Sequence, residues 1–207
     1  GNHDQGRISG VLRIELQQEK QAAALYLLSP GVPFLYYGEE IGMSGTKPDE
    51  DLRRPMQWSA ESQAGFSKGI PWRAPNQDYM KVNVLAQDSD PNSLLNHYRN
   101  LIHLRMENPA LATGGLKAVD ANNQRILAFI REDENQTYLI IANLSNQEVL
   151  NVSLSVDASR LSGAINPTMI LGEGSPASFI VDEYGAFEGY VPLTNIPAKT
   201  AVILKLR

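Results

Sequence analysis

The stretch VPFLYYGEEIG, residues 32–42, decides the fold class expected for the first half of the chain. It opens with an apolar and aromatic run that shows no alternation, as in a strand covered on both faces. Residues 12–28 carry apolar side chains at helical spacing and end at Ser29-Pro30-Gly31, a sequence that breaks helices. A helix followed by a buried strand, with Glu39 and Glu40 at the strand's carboxyl end, predicts one unit of a parallel α/β sheet or barrel.

The next segment, residues 43–88, shows no sustained period and is interrupted by prolines and glycines. A run of this length without secondary structure is unusual in a compact domain unless it has a function. It contains both tryptophans of the chain, Trp58 and Trp72, and a flat indole ring packs well on the apolar face of a sugar. An indole ring also anchors a loop to its scaffold, so the pattern alone leaves both interpretations open.

A second helix is predicted over residues 91–107, where an apolar stripe follows Asp90 as the expected N-terminal cap. His97 and His103 lie on this helix but are not spaced to share one face as metal ligands do. We interpret both as ordinary helix residues and expect no metal site here.

From Gly114 onward, short β-strand candidates alternate with turn sequences, which is typical of an antiparallel sandwich. The candidate strands are residues 126–131, 137–142, 149–156, 168–171, 177–181, 189–193 and 201–206. The domain boundary is therefore expected near residues 112–116, which gives domains of residues 1–113 and 114–207.

Composition excludes several classes of function. The 207 residues are 43% hydrophobic and carry a net charge of −5, which argues against nucleic acid as a partner. No apolar run approaches the roughly 20 residues of a membrane helix, so no membrane partner is expected. Cysteine is absent, which rules out disulfides and fits either a cytoplasmic or an exported bacterial protein. Because the chain begins without Met and inside a polar motif, we expect a fragment or a processed product.

That polar motif is Asn2-His3-Asp4, which places an imidazole beside a carboxylate, with the guanidinium of Arg7 three residues further on. Polar groups packed this densely seldom belong to a core. Taken alone, the motif fits an ordinary polar loop as well as a catalytic site.

Taken in order, the motifs of this chain resemble the end of the catalytic barrel and the C-terminal domain of the alpha-amylase family of glycoside hydrolases. They are Asn2-His3-Asp4, PFLYYGEEIGM at residues 33–43, RPMQW at 54–58, DPNSL at 90–94 and RMENPAL at 105–111. The resemblance covers residues 1–113 closely and the rest by position and pattern. It implies the last quarter of a (β/α)8 TIM barrel, comprising the end of strand 7, helix 7, strand 8, a long loop and helix 8, followed by a C-terminal antiparallel β-sandwich.

The resemblance also implies roles for individual residues. Retaining glycosidases use two carboxyl groups about 5 to 5.5 Å apart, one as nucleophile and one as acid. In this family both come from earlier strands, and Asp4 matches the third carboxylate, which stabilises the transition state. His3 would bind a sugar hydroxyl, while Arg53, Arg54 and Trp58 are candidates for the aglycone side. Glu39 and Glu40 match a structural position.

The resemblance implies cleavage of α-glucosidic bonds in starch-like glucans or maltooligosaccharides. With no counterpart of the nucleophile and the acid, the isolated chain is expected to be inactive without the N-terminal barrel segment of the same enzyme. An exo-acting oligo-1,6-glucosidase or alpha-glucosidase, or a trehalose synthase-like parent, remains open, as does a non-catalytic carbohydrate-binding or structural domain. Calcium is common in the family, but its usual ligands lie outside this segment, so no cofactor is expected from these residues.

Overall fold

The computed structural model describes residues 1–11 and 15–207. These form two compact units, Gly1–Ala23 with Val32–Ile102, and Ala24–Gly31 with His103–Arg207. The α-helices are α1 (Ile8–Val11), α2 (Leu16–Leu28), α3 (Asp49–Leu52), α4 (Val84–Asp88), α5 (Leu94–Glu107) and α6 (Pro109–Ala112). Two short 3-10 helices cover Glu39–Ile41 and Ser62–Gly65. None of the helices in these described ranges combines the length and the apolar character that crossing a membrane requires.

The two long helices agree with the sequence prediction in type. α2 covers most of the predicted residues 12–28, of which residues 12–14 lie outside the described residues. α5 begins at Leu94 rather than at residue 91. Asp90 does not cap it, because its carboxylate accepts the Asn92 N–H of the preceding turn at 2.8 Å. The cap is Ser93, whose hydroxyl oxygen accepts the Asn96 N–H at 3.1 Å.

The run at residues 32–37, predicted as a buried strand, lies outside any sheet in the structure. Val32 is 78% exposed and Phe34 is 76% exposed. A strand forms only where a neighbouring strand takes up its backbone hydrogen bonds, and the described residues of the first unit contain no strand. An apolar run of this kind therefore indicates a buried strand only where neighbouring strands are present to pair with it.

The turn that follows this run is held tightly. Gly38 adopts φ 80°, and a Cβ atom there would lie 2.3 Å from the sulfur of Met43, so only glycine fits. Met43 is fully buried and belongs to the apolar cluster of this unit, which is formed by Ile41, Met43, Met56 and Leu95.

The second unit is built on antiparallel strands. They are β1 (Gly115–Ala121), β2 (Ile126–Glu132), β3 (Thr137–Asn143), β4 (Val149–Leu150), β5 (Leu154–Val156), β6 (Ala164–Ile165), β7 (Thr168–Leu171), β8 (Phe179–Ile180), β9 (Phe187–Tyr190), β10 (Asn195–Ile196) and β11 (Ala201–Lys205). Seven of them form one sheet in the order β7-β11-β3-β2-β1-β5-β9, and β10-β4 and β6-β8 form two small ladders. This is the antiparallel architecture predicted for the C-terminal domain.

Several strand boundaries differ from the prediction. β1 was not predicted, because its polar residues hide the pattern; it is defined by pairing with β2, where Val119 lies opposite Ala128. The predicted strand at residues 149–156 is divided into β4 and β5 at Asn151, which has φ 50°. A backbone in the left-handed region cannot continue an extended strand.

Arg131 on β2 ties the end of α2 to the start of the β domain. Its side chain is fully buried and donates to the carbonyl oxygens of Leu28 at 2.5 Å, Gly114 at 2.8 Å and Gly115 at 3.2 Å. The last carbonyls of a helix have no partner within the helix and favour a nearby cation. Burial and the neighbouring charge of Arg105 lower the pKa of the Arg131 guanidinium.

Arg105 on α5 performs a similar role. It is 8% exposed, and its guanidinium donates to four backbone carbonyl oxygens of the described residues. These belong to Leu27, Ser29 at 2.9 Å, Gly31 at 2.6 Å and Ala112 at 3.0 Å. The two arginines thus satisfy the C-terminal end of α2 and the breaker sequence after it.

Replacing Arg131 by Met should destabilise the chain by about 3 kcal/mol, because the carbonyl oxygens of Leu28, Gly114 and Gly115 lose the donor that this buried guanidinium supplies. Urea denaturation followed by circular dichroism measures this change. The matched control is Arg125→Met, since Arg125 is exposed and its guanidinium donates to the side chain of Gln147 rather than to a backbone carbonyl. The control should change stability by less than about 0.5 kcal/mol. Equal losses in both variants would show that Arg131 does not stabilise the α2 end.

Candidate active site

The motif Asn2-His3-Asp4 forms a turn that presents two polar side chains. The Asp4 N–H donates to the side-chain oxygen of Asn2 at 2.9 Å, an Asx-type arrangement. Nε2 of His3 lies 3.3 Å from Oδ2 of Asp4, and both side chains are 61% exposed. The motif therefore places a carboxylate and an imidazole side by side at the surface, where a ligand can reach both.

Arg53, immediately after α3, binds this turn at two points. Its Nη2 lies 3.1 Å from Oδ1 of Asp4, and its Nε donates to the His3 carbonyl oxygen at 3.2 Å. The same Nη2 lies 3.3 Å from Oδ2 of Asp49. A hydrogen bond from Lys47 and then the charge of Arg53 lower the pKa of Asp49. Arg53 thus orients both the side chain of Asp4 and the backbone beside it.

Arg7 lies beneath this arrangement and is only 3% exposed. Its Nε donates to the Leu52 carbonyl oxygen at 3.0 Å, and its Nη1 donates to the Tyr37 carbonyl oxygen at 2.6 Å. The guanidinium carbon lies 4.4 Å and 4.8 Å from the ring centroids of Tyr36 and Tyr37, within the range of cation–π interaction. Burial lowers the pKa of Arg7 and raises that of Tyr37 to about 12.

Arg54, predicted to bind substrate, belongs to a separate ion cluster. One oxygen of Asp51 lies 2.7 Å from Nη2 of Arg54 and 2.6 Å from Nη2 of Arg73. Arg54 also donates to the Ala74 carbonyl oxygen at 2.8 Å. The hydrogen bond from Arg73, together with the charges of both arginines, lowers the pKa of Asp51. Within the described residues, no contact joins Arg54 to Asp4.

Trp58, the other predicted substrate contact, is 51% exposed. Its backbone N–H donates to the Ala64 carbonyl oxygen at 2.9 Å. Ala64 and its neighbour Gln63 have φ values of 58° and 55°, which are strained for residues other than glycine. Trp72 is also exposed, at 66%. The long loop therefore keeps both indole rings accessible, while the described contacts leave Trp58 apart from Asp4.

Of the two glutamates after residues 32–37, Glu39 is buried and Glu40 is partly buried. Glu39 is 6% exposed, and its Oε1 accepts the Tyr98 hydroxyl at 3.2 Å. Burial, and then the neighbouring Glu39, raise the pKa of Tyr98. Burial also raises the pKa of Glu40. These contacts are those of structural residues.

The ion pairs of Arg53 with Asp49 and of Arg54 with Asp51 had a signal in the sequence, whereas the contact of Arg53 with Asp4, 49 residues away, had none. Residues 49–54 read DEDLRR, with acidic residues three and four positions before arginines. Such spacings pair on a helix turn, as Asp49 with Arg53 and Asp51 with Arg54 do here. Arg73 gave no such signal, because its partner lies 22 residues away. Among the described residues, no group of three or more histidine and acidic side chains is arranged to hold a metal ion.

Comparison with known proteins shows the family to which the chain belongs. Residues 1–114 match the model described as alpha amylase, catalytic domain, and residues 116–178 match the maltogenic amylase C-terminal domain. The chain therefore combines part of a glycosidase catalytic domain with the β domain that accompanies it. It belongs to the alpha-amylase family, as its ordered motifs predicted.

Individual relatives agree with this assignment. The chain is 35% identical over 150 residues to alpha-amylase 3 of Dictyoglomus thermophilum, which covers 71% of the chain and 30% of the relative. It is 41% identical to the trehalose synthase/amylase TreS of Mycolicibacterium smegmatis, over 63% of the chain and 24% of the relative. It is 32% identical to the probable oligo-1,6-glucosidase 3 of Bacillus subtilis, over 78% of the chain and 37% of the relative. The chain thus matches about a quarter to a third of the length of these relatives.

Solved structures confirm the fold. The alpha-amylase from H.orenii superposes with a TM-score of 0.75 at 32% identity, over 100% of this chain and 39% of that chain. The trehalulose synthase MutB from Pseudomonas mesoacidophila MX-45 superposes with a TM-score of 0.77 over 100% of this chain and 42% of that chain. At 24% identity the latter shows a common fold only.

A further buried carboxylate lies away from Asp4. Glu19 on α2 is 5% exposed, and its Oε1 has no hydrogen-bond partner in the described part of the chain. Its other oxygen lies close to Gly42, where a Cβ atom would come within 3.1 Å. Burial raises the pKa of Glu19, while a hydrogen bond from Ser9 lowers it. The net shift is upward, so ionised Glu19 disfavours the folded state.

This shift predicts a pH dependence of stability. The unfolded pKa is near 4.5 and the folded pKa is higher, so the folded state holds its proton longer as pH rises. Stability attributable to Glu19 is therefore complete below the unfolded pKa and is lost as pH rises through the folded pKa. Glu19→Gln should remove this loss and make the chain more stable than wild type at neutral pH.

Urea denaturation of both proteins between about pH 4 and pH 8 measures the difference. The exposed Glu61→Gln serves as the control and should follow the wild-type profile. If the difference between Glu19→Gln and wild type did not change with pH, a raised pKa at Glu19 would be excluded.

Proposed function

We propose that this chain is the C-terminal part of a retaining glycoside hydrolase that cleaves α-glucosidic bonds in starch-like glucans or maltooligosaccharides. The observation that carries the proposal is the exposed Asp4, oriented by Arg53 and adjacent to His3, within residues that match an alpha-amylase catalytic domain. The nucleophile and the acid are assigned to the part of the barrel that this chain does not contain. Alone, the chain should not turn over substrate.

In this proposal Asp4 stabilises the positive charge that develops on the sugar ring in the transition state. A carboxylate offers about four acceptor positions, so Arg53 and His3 leave capacity for sugar hydroxyls. His3, 61% exposed, donates to a hydroxyl of the same sugar. Arg54 and Trp58 contribute to the aglycone side, the exposed indole as a stacking surface.

The exposed apolar run at residues 32–37 supports a contact with another part of the same enzyme. We infer that it packs against the N-terminal barrel segment of the same enzyme, where it becomes the strand that its sequence predicts. Val11, 66% exposed, and Leu16, 49% exposed, add to the apolar surface of this unit. Apolar exposure of this extent marks a surface that another part of a protein covers.

We further propose a domain boundary between residues 113 and 114. α6 ends at Ala112 and β1 begins at Gly115, so the connection is short. The two family matches, over residues 1–114 and 116–178, meet in the same place.

Coexpression of the chain with the upstream barrel segment of its own enzyme tests the function. Starch and p-nitrophenyl α-glucoside serve as substrates. The chain alone should be inactive and the combination active, and Asp4→Asn should lower the activity of the combination by about 100-fold or more. The control is Asp157→Asn, an exposed carboxylate of the β domain, which should leave activity unchanged. Turnover by the isolated chain, or an unaffected Asp4→Asn combination, would refute the assignment.

A second candidate is an exo-acting oligo-1,6-glucosidase or a trehalose synthase-like enzyme. It is favoured by the similarity to the Bacillus subtilis and Mycolicibacterium smegmatis relatives. In the same coexpression assay, rapid loss of iodine staining of starch indicates endo action. Preferential turnover of the small glucoside, or formation of trehalose from maltose, indicates the second candidate. Retention on immobilised glucan without turnover by the combination would instead indicate a carbohydrate-binding domain.

A further inference from the structure

Glu39 joins the residue that precedes the Asn2-His3-Asp4 motif to helix α5. Its Oε2 lies 3.1 Å from the nitrogen of Gly1, and its Oε1 accepts the Tyr98 hydroxyl at 3.2 Å. Glu39 is 6% exposed and Tyr98 is 3% exposed. A buried carboxylate is costly unless it is paired and hydrogen-bonded, and here each of its two oxygens has a partner.

The backbone that carries Glu39 is fixed by its own contacts. Glu39 begins the 3-10 helix Glu39–Ile41, and its N–H donates to the Tyr36 carbonyl oxygen at 3.1 Å. The Glu39 carbonyl oxygen accepts the Gly42 N–H at 3.1 Å, and Ile41 is 1% exposed within the apolar cluster of the first unit. The carboxylate therefore extends to Gly1 from a well-anchored turn.

Gly1 approaches this turn closely. A Cβ atom at position 1 would lie 3.0 Å from Oε2 of Glu39 and 3.7 Å from Cβ of Tyr36. The Gly1 nitrogen can donate to the carboxylate both as a terminal ammonium group and as the N–H of a peptide bond. The chain is therefore tied to Glu39 three residues before Asp4.

Arg53 supports the same motif from its other side. It contacts the His3 carbonyl oxygen and the Asp4 carboxylate, but its ion pair with Asp4 is exposed, and exposed pairs are weak. The first residues of a chain are poorly ordered unless a contact ties them down. Among the described contacts, that of Glu39 with Gly1 is the one that ties the beginning of the motif to the interior.

We propose that Glu39 is a positioning residue for Asp4, which holds the Asn2-His3-Asp4 turn in place by binding the nitrogen of Gly1. The catalytic consequence rests on the proposed function, whereas the ordering of the turn rests on the contacts of Glu39 alone. Tyr98 in turn orients the Glu39 carboxylate. Burial, and then Glu39, raise the pKa of Tyr98, so its hydroxyl keeps the proton that it donates at neutral pH.

Nitrogen-15 relaxation of the 207-residue chain tests the ordering of the turn. The amides of His3 and Asp4 should have order parameters of about 0.85 in the wild type and below about 0.6 in Glu39→Leu. Glu39→Gln should keep the turn ordered, because its amide oxygen accepts from Gly1 while its NH2 group donates to the Tyr98 oxygen. Deletion of the exposed Gly1 removes the donor without opening the core and should also lower the order parameters.

The matched control is Glu19→Leu, which removes a second buried carboxylate of the same unit. Within the described part of the chain, no hydrogen bond joins Glu19 to residues 1–4, so the turn should stay ordered in this variant. Circular dichroism verifies that each variant is folded.

The coexpression assay measures the effect on catalysis. Glu39→Leu should lower kcat about tenfold or more and change KM less than about twofold, because a displaced Asp4 loses contacts that matter most in the transition state. Glu39→Gln should recover kcat to within about threefold of the wild type, since it keeps both hydrogen bonds. A residue that only stabilised the fold would lower the amount of active enzyme and leave the kcat of the folded fraction unchanged.

The outcomes separate this proposal from the proposed function. Loss of order in Glu39→Leu and in the Gly1 deletion, with recovery in Glu39→Gln and an unchanged control, supports the positioning role. A turn that is disordered in the wild type, that stays ordered in both disrupting variants, or that is equally disordered in Glu19→Leu would overturn it. If the turn lost its order as expected while coexpressed Asp4→Asn remained fully active, the ordering by Glu39 would stand and the catalytic role of Asp4 would be refuted.

Discussion

The first unit depends on the hydrogen bonds that the buried guanidinium of Arg7 makes with distant parts of the chain. Three residues after Asp4, it binds the carbonyl oxygen of Leu52, the residue before Arg53. Its backbone N–H also donates to the Gly45 carbonyl oxygen at 2.9 Å. At Gly45 a Cβ atom would lie 3.1 Å from Cδ of Arg7, so a larger residue would push the segments apart. Because Arg7 and Leu52 are joined inside the protein, Asp4 and Arg53 meet at the surface.

Arg53 and Arg7 have different roles because their contacts differ in strength. The ion pair of Asp4 with Arg53 is exposed, and exposed pairs contribute at most about 1 kcal/mol. Such a pair orients a carboxylate but cannot hold two chain segments together. The buried contacts of Arg7 can, because an unsatisfied buried group costs far more than an exposed one. The carboxylate of Asp4 can therefore change its hydrogen-bond partners without loosening the fold.

Local patterns were sufficient to predict α2, α5 and most of the large strands, since each has a periodic apolar face. Ordered motifs were sufficient to predict the family, which the match to the alpha amylase catalytic domain confirms. What the sequence did not reveal depends on distant partners. Residues 32–37 lack neighbouring strands, β1 is defined by β2, and Arg54 is directed by Asp51 and Ala74 rather than by its motif. Contacts between residues that are distant in the sequence can be predicted only when the fold that brings them together is known.

The long loop at residues 43–88 illustrates how a segment with little regular structure can be well ordered. Side chains replace the hydrogen bonds that a helix or sheet would supply: Arg54 binds the Ala74 carbonyl, Gln57 that of Val82, and Asn76 that of Ser44. Because these bonds are made from the inner side, the outer side is left to exposed side chains such as Trp58 and Trp72. Substitutions on that outer side should therefore cost the fold little, because they leave the hydrogen bonds beneath them in place.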